Sequence, residues 1–318
     1  MALVEDQQVG LHDGLGMHIP ILKGSNKEHL IIEDVLRHRA GLKAWIPFYQ
    51  ETIDDRNRPV DSLYKRKPDD LFNVEVARNL YMKQSYIDSI WSRIITSEID
   101  PEQGYVYSDL GFYLMAALVK VKTGQTLDVF VEEKYYKPLG LDRIGFRPLE
   151  HFSKSEIPPT EKDNYFRQQT VQGYVHDMGA GMLGGVSGHA GLFGSGRDLA
   201  VLMQMMLNGG RYNGQQYLSA NTIRTFTQRC GECYRRGVGF DMKQTEDGVT
   251  LNMAESASEF TFGHLGFTGI ACWVDPVHDL IYIFLSNRTY PSMKNNKLGS
   301  LNYRPKIQEE VYRSIREK

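Results

Sequence analysis

Three cysteines are too few for a disulfide framework in a chain of 318 residues. Cys230 and Cys233 are spaced C-x-x-C, and Cys272 stands alone. A zinc site would need further ligands from elsewhere, so the plain reading is a turn at Cys230-Gly231-Glu232-Cys233, with a local disulfide if the protein is exported. An excess of either charge is also lacking. Lys+Arg is 37 against Asp+Glu 39, a net charge of −2, which gives no electrostatic reason to expect nucleic acid or an anionic membrane surface as partner. Long apolar runs are missing too. The longest, around Leu280 to Leu285, is far short of the roughly 20 residues of a membrane span. The first eight residues have no basic n-region, no apolar h-region and no small-residue cleavage site, so they do not read as a signal peptide. They read as the tail of an amphipathic helix that began earlier. No internal repeat or low-complexity tract is present.

What remains is an ordinary globular composition, 41% hydrophobic and 24% charged. The length suits one large domain with a lobe, or two smaller ones. Glu28 to His38 has helical spacing, with Gly41 as a stop. Asp54 to Asp70, with Pro59 and Pro68, reads as a surface excursion. Helices are expected over Tyr86 to Ile99, over a segment with apolar face Leu110, Leu114, Ala117, Leu118 and Val121 ended by Gly124, over Thr126 to Tyr136, and over Arg197 to Leu207. Residues 150 to 176 read as polar and irregular. Asn213-Gly214 signals a tight turn. The period then changes. Val238 to Met242, Gly269 to Asp275 and Leu280 to Ser286 read as strands, the last two as a hairpin, with a closing helix over Arg304 to Glu317. This order implies an α+β layout.

Three segments could carry chemistry. In Tyr107-Ser108-Asp109 the tyrosine could accept a proton if a cation lowered its pKa, or Ser108 or Asp109 could simply cap a helix. His264 stands between glycines in Phe262-Gly263-His264-Leu265-Gly266, where a ligand could approach closely. Ser187 and His189 lie in a glycine-rich stretch, Gly179 to Gly196, that no G-K-[ST] follows, so it does not read as a phosphate loop. His176 and Asp177 with His189 fit no standard metal signature, and no metal or other cofactor is expected. Ser62-Leu63-Tyr64-Lys65 matches S-x-x-K by pattern but lies in a charged, proline-bounded stretch, unlike a supported nucleophile.

Together and in order, these segments resemble the serine β-lactamase and penicillin-binding-protein superfamily, on its class C and esterase side. Tyr107-Ser108-Asp109 is similar to the Y-x-N element, and His264-Leu265-Gly266 to the K-T-G or H-x-G element. Asp34-Val35-Leu36-Arg37-His38-Arg39-Ala40-Gly41-Leu42 is similar to D-L-L-x-H-x-S-G-L, and Gly188 to Phe193 with Asp198-Leu199-Ala200 to G-x-x-G-L-x-S-x-x-D-L-A. The resemblance implies a β-lactamase/transpeptidase-like α+β fold: an antiparallel sheet flanked by helices, plus a mostly helical lobe. Residues 1–318 would form one such domain, with the lobe within 43–260 and the closing strands and helix in 236–318. It implies acyl transfer on a β-lactam, peptide or ester by a serine, with a lysine one turn on. Tyr107 would be base and acid, Asp109 would orient the lysine or substrate, and His264 would line the pocket near a substrate carboxylate. Ser108, Leu265 and Gly266 would bind substrate. The family's S-x-x-K belongs before Ala2, so the nucleophile and at least one strand are expected to be missing. Leu265 stands where Thr or Ser is usual and cannot donate a hydrogen bond. The wording of residues 160 to 290 is most like the region following a family 3 glycoside hydrolase domain in bacterial fusion proteins, which points to a fused or adjacent glycosidase. A non-catalytic cell-wall or glycan-binding module of the same fold is the alternative. Relatives of this kind are usually periplasmic or otherwise exported.

Overall fold

The computed structural model describes residues 1–102, 104–230, 235–246, 249 and 251–316. In chain order the regular elements are α1 (Ala2–Glu5), α2 (Ile32–Leu36), β1 (Tyr64–Lys65), β2 (Phe72–Ala77), β3 (Leu80–Lys83), α3 (Tyr86–Thr96), α4 (Leu110–Thr123) and α5 (Leu127–Val131). Then follow β4 (Ile144–Gly145), β5 (Pro159–Asp163), β6 (Gln169–Gln172), α6 (Met178–Met182), β7 (Phe193–Gly194), α7 (Gly196–Leu207), β8 (Arg211–Tyr212), β9 (Gln215–Gln216) and α8 (Ala220–Thr227). The chain closes with β10 (Asp241–Met242), β11 (Phe262–Leu265), β12 (Ala271–Asp275), β13 (Leu280–Phe284), α9 (Lys297–Ser300) and α10 (Tyr303–Arg316).

The largest sheet is antiparallel, in the order β10-β11-β12-β13. Its register sets His264 opposite Cys272 and Cys272 opposite Ile283. All five residues of β12 are buried, so the strand is covered on both faces. No described strand pairs with the outer edge of β13. Trp273, Tyr282 and Tyr312 join β12, β13 and α10 in one core cluster. A larger cluster surrounds α4, whose Leu110, Leu114 and Leu118 are fully or almost fully buried at successive turns. Each such leucine contributes roughly 2 kcal/mol of burial. Val121, expected on the same face, is exposed. Gly124 ends α4 in the left-handed conformation, and its amide bonds Lys120 O.

Several expectations are corrected. The helix expected over Glu28 to His38 is only α2, because Leu15 and Gly16 take the Leu30 and Glu28 carbonyls and draw that segment into turns. It stops at His38, not Gly41. Gly41 instead lets the chain pass against Asp100, with the Asp100 amide on its carbonyl. Residues 72–83 form the β2–β3 hairpin, with Asn79 left-handed in its turn. Within residues 150–176 lies the β5–β6 hairpin, wrapped around the fully buried Arg167. That guanidinium bonds Asp163 and Glu161 at 2.7 Å each and the carbonyls of Val175 and His176. The strand expected from Val238 begins only at Asp241. Cys272 is free and buried, while the expected turn 230–233 lies largely outside the described residues. Among the described residues no helix is long and apolar enough to cross a membrane.

Candidate active site

The site is built where three chain segments converge: the end of α2, the approach to α4, and the inner strands β10 and β11. At the end of α2 the His38 amide bonds Val35 O and the Arg39 amide bonds Asp34 O, the paired bonds of a Schellman helix stop. The left-handed residue of such a stop is usually glycine. Here it is His38, with φ of 58°, at a cost of about 1–2 kcal/mol. The side chain retained at that cost is 3% exposed. Its Nδ1 accepts the Ser108 amide at 2.9 Å, and its ring lies 4.4 Å from that of Tyr107. Nδ1 therefore carries no proton, and the imidazole is the neutral Nε2–H form. Burial, reinforced by Arg236 and His264, lowers its pKa to about 3.

The helix-capping roles considered for Ser108 and Asp109 are not the ones found. The Ser108 hydroxyl donates to Lys43 O at 2.6 Å, and the Asp109 carboxylate makes no capping bond to α4. Desolvation raises the Asp109 carboxyl to about 6, with the Asp177 charge adding to it and His189 opposing. Tyr107 stands 45% exposed. Partial desolvation and the Asp109 charge push its phenol up to about 12, against the pull of Arg236. At neutral pH it is a phenol and not a phenolate, so proton acceptance requires one more cation nearby.

His264 lies across from Tyr107, ring centres 6.0 Å apart. Its Nδ1 is 2.7 Å from Leu265 O, and its Nε2 is 3.3 Å from Arg236 Nη1. Nδ1–H donates to the carbonyl and Nε2 accepts from the guanidinium. Burial, aided by Arg236 against Asp241, lowers its pKa. Arg236 and Arg235 both bond Asp241, at 2.5 and 2.6 Å. Two guanidinium charges on one carboxylate leave this wall with a surplus positive charge. Arg236 is fully buried, and among the described residues its Nε and Nη2 meet no hydrogen-bond partner.

On the other side of Asp109, Ser187 Oγ and His189 Nδ1 are 2.9 Å apart, and His189 Nε2 is 2.8 Å from Asp177 Oδ1. The two sequence neighbours therefore do meet. Ser187 is 3% exposed, however, so this row does not present a nucleophile. His189 also stacks on Tyr113 at 4.2 Å. Asp109, Asp177 and His189 offer ligand atoms within 4.8 Å of one another, the one group among the described residues that could hold a metal ion. Both nitrogens of His189 already have partners within the protein.

The structure thus brings Tyr107 and His264 into ring contact, while the Ser108 hydroxyl is bound to Lys43 O and Asp109 groups with Asp177 and His189. Leu265 packs with the cluster of Trp273 and Tyr312, and Gly266 gives its amide to Ile270 O. Ser62 is exposed, and Lys65 pairs with Asp69 at 2.6 Å and lies over Phe72. The sequence reading missed Arg235, Arg236 and Asp241, and took His38 only as part of a motif. A hint lay in His38-Arg39-Ala40-Gly41: a helix ending with its glycine three residues late leaves a non-glycine at the stop.

A family model described as Beta-lactamase matches residues 1–301. A protein of Salmonella gallinarum named "Putative D-alanyl-D-alanine carboxypeptidase" is 31% identical over 315 residues, covering 93% of this chain and 67% of that protein. One of the same name from Escherichia coli K12 is 34% identical over 281 residues, covering 85% of this chain and 59% of its own length. A solved structure titled as a putative β-lactamase from Bacteroides dorei superposes with a TM-score of 0.59 at 13% identity, over 98% of this chain and 80% of its own. That likeness concerns the fold.

Proposed function

The chain belongs to the β-lactamase family, and from that premise we propose that its cleft serves acyl transfer of the carboxypeptidase kind, on peptides ending in D-alanyl-D-alanine. The supporting observation is the meeting of Tyr107 and His264 beside the cationic wall of Arg235 and Arg236, with the Asp109 charge acting on Tyr107. Two relatives, at 31% and 34% identity, carry the carboxypeptidase name. We read residues 1–318 as one domain of this family, with the mostly helical lobe within 43–260 and the closing strands and helix in 236–318.

In this reading a serine oxygen attacks the carbonyl carbon of the penultimate residue. Its proton passes to Tyr107, and then from Tyr107 to the amine that leaves as the C–N bond breaks. Water then splits the acyl-enzyme. Tyr107 accepts that proton only with a cation beside it, and Asp109 is placed to hold that cation close. The Gly266 amide is committed to Ile270 O and so does not stabilise an oxyanion. Ser62 and Lys65 do not serve as the nucleophile pair, and we place the serine and lysine outside residues 1–318. Residues 1–318 alone are then expected to be inert to chromogenic β-lactams and aryl esters. The longer protein should be acylated by a fluorescent penicillin, and Tyr107→Phe should slow that by about a hundredfold or more. Turnover by 1–318 itself, lost on Ser62→Ala, would overturn this placement.

A second reading is a non-catalytic module that binds cell-wall peptide or glycan, beside a glycosidase. The surplus charge of Arg235 and Arg236 favours it, because that charge would hold a carboxylate without any nucleophile. Saturable binding of muropeptides that survives Tyr107→Phe, with no acylation of the longer protein, would select this reading.

A further inference from the structure

His38 meets Tyr107 and both of its chain neighbours. Its carbonyl accepts the Val106 amide at 3.0 Å, its Nδ1 accepts the Ser108 amide at 2.9 Å, and its ring packs at 4.4 Å with a tilt of 32° against the phenol ring. The amides of the residues on either side of Tyr107 are therefore both bonded to one residue, and the side chain between them rests on that residue's ring. The same imidazole also touches Phe112, in the first turn of α4, at 5.5 Å.

We propose that His38 is a positioning residue for Tyr107: it holds the phenol at the angle needed to exchange a proton with substrate and takes no proton itself. This rests on the reading of Tyr107 as the proton-handling group. The backbone makes a separate role in mere helix stopping testable. A glycine at position 38 would satisfy the left-handed helix stop better than histidine does and would still lack the ring and the acceptor. Asparagine tolerates the left-handed conformation, and its Oδ1 reaches the place of Nδ1. The pair of variants separates a stable fold from a well-placed tyrosine.

The kinetic experiment uses the longer protein and a peptide ending in D-alanyl-D-alanine. His38→Gly should still fold cooperatively, because relief of the left-handed strain offsets part of the lost burial and the lost hydrogen bond. Its kcat should fall about tenfold to a hundredfold while KM stays within about twofold, the pattern of an interaction used only in the transition state. His38→Asn should recover most of that loss. A kcat for His38→Gly equal to wild type overturns the proposal, as does an asparagine variant no better than glycine. A second readout needs no activity and uses residues 1–318. The Ser108 amide should exchange with solvent at least about tenfold faster in His38→Gly than in wild type, and near the wild-type rate in His38→Asn. Unchanged protection in His38→Gly overturns the clamp. If wild type shows neither turnover nor acylation while the amide data behave as stated, the carboxypeptidase reading fails and the clamp stands.

Discussion

Arg236 and His264 face each other nitrogen to nitrogen, 3.3 Å apart, with the guanidinium hydrogen between them. Two donors cannot share that space, so His264 keeps its Nε2 lone pair turned to Arg236 and its proton on Nδ1. Its ring should therefore stay neutral as pH falls below the usual histidine range. Imidazole 15N NMR between pH 7 and 5 should show one unchanging Nδ1–H tautomer. Replacing Arg236 with methionine removes a charge that lowers the pKa while Asp241 remains, so His264 should then titrate at higher pH.

His38 makes acid stability steep. Its pKa falls from the ordinary 6.5 to about 3 on folding, so the unfolded chain binds a proton that the native state refuses. The stabilisation is complete above about pH 6.5 and is lost as pH drops toward 3, at about 1.4 kcal/mol per pH unit. Urea unfolding at pH 7, 6 and 5 should show this slope, and His38→Gly should flatten it. An unchanged slope in the variant would assign the acid sensitivity to other groups.

Asp109 acts with the opposite sign. Its carboxyl is raised to about 6, so the native state favours the protonated form and pays a penalty as pH rises from about 4 through 6. Asp109→Asn should stabilise the protein at pH 7 by on the order of 1 kcal/mol once partial exposure is discounted. It should also lower the Tyr107 titration, read as an ultraviolet difference against the same variant carrying Tyr107→Phe. A loss of stability would contradict the stated cause.

Arg167 is wholly enclosed, with both its acidic partners nearly fully buried. Asp163→Ala leaves a buried guanidinium with half its neutralising charge and should cost about 3–5 kcal/mol. Denaturant midpoints would read this directly. The same substitution at Asp69, whose partner Lys65 is exposed, should cost less than about 1 kcal/mol.

Gly41→Ala tests the corrected reading of that glycine. Its φ is 66°, and an added Cβ would strike the Asp100 carbonyl oxygen. The expected loss is about 2 kcal/mol or more, since backbone must move. Gly124→Ala, at φ 73° with open space around it, should cost only about 1–2 kcal/mol.

Where local signals dominate, the fold was legible. The period of α4, its glycine stop, the Asn213-Gly214 hairpin and the β12–β13 pair all express preferences contained within a dozen residues. The β2 strand carries the same local signal, since its buried and exposed residues alternate, but it directly follows a run of charged residues that reads as loop. The β5–β6 hairpin was not legible, because its polar residues are justified only by Arg167, which the hairpin itself encloses. The site divides the same way. Tyr107, Asp109 and His264 could be found because they sit in short ordered motifs. Arg236 could not, because its meaning comes from Asp241 and His264, which reach it only when β10 pairs with β11.

One consequence follows from the outer edge of β13. Leu280-Ile281-Tyr282-Ile283-Phe284 is uncharged, free of proline and rich in β-branched and aromatic residues, and no described strand covers that side. Such an edge is a template for another chain's backbone. In concentrated solution an edge of this kind favours edge-to-edge pairing of sheets from two copies. A lysine at Ile283, half-buried at that edge, is the kind of gatekeeper that would keep the molecules apart.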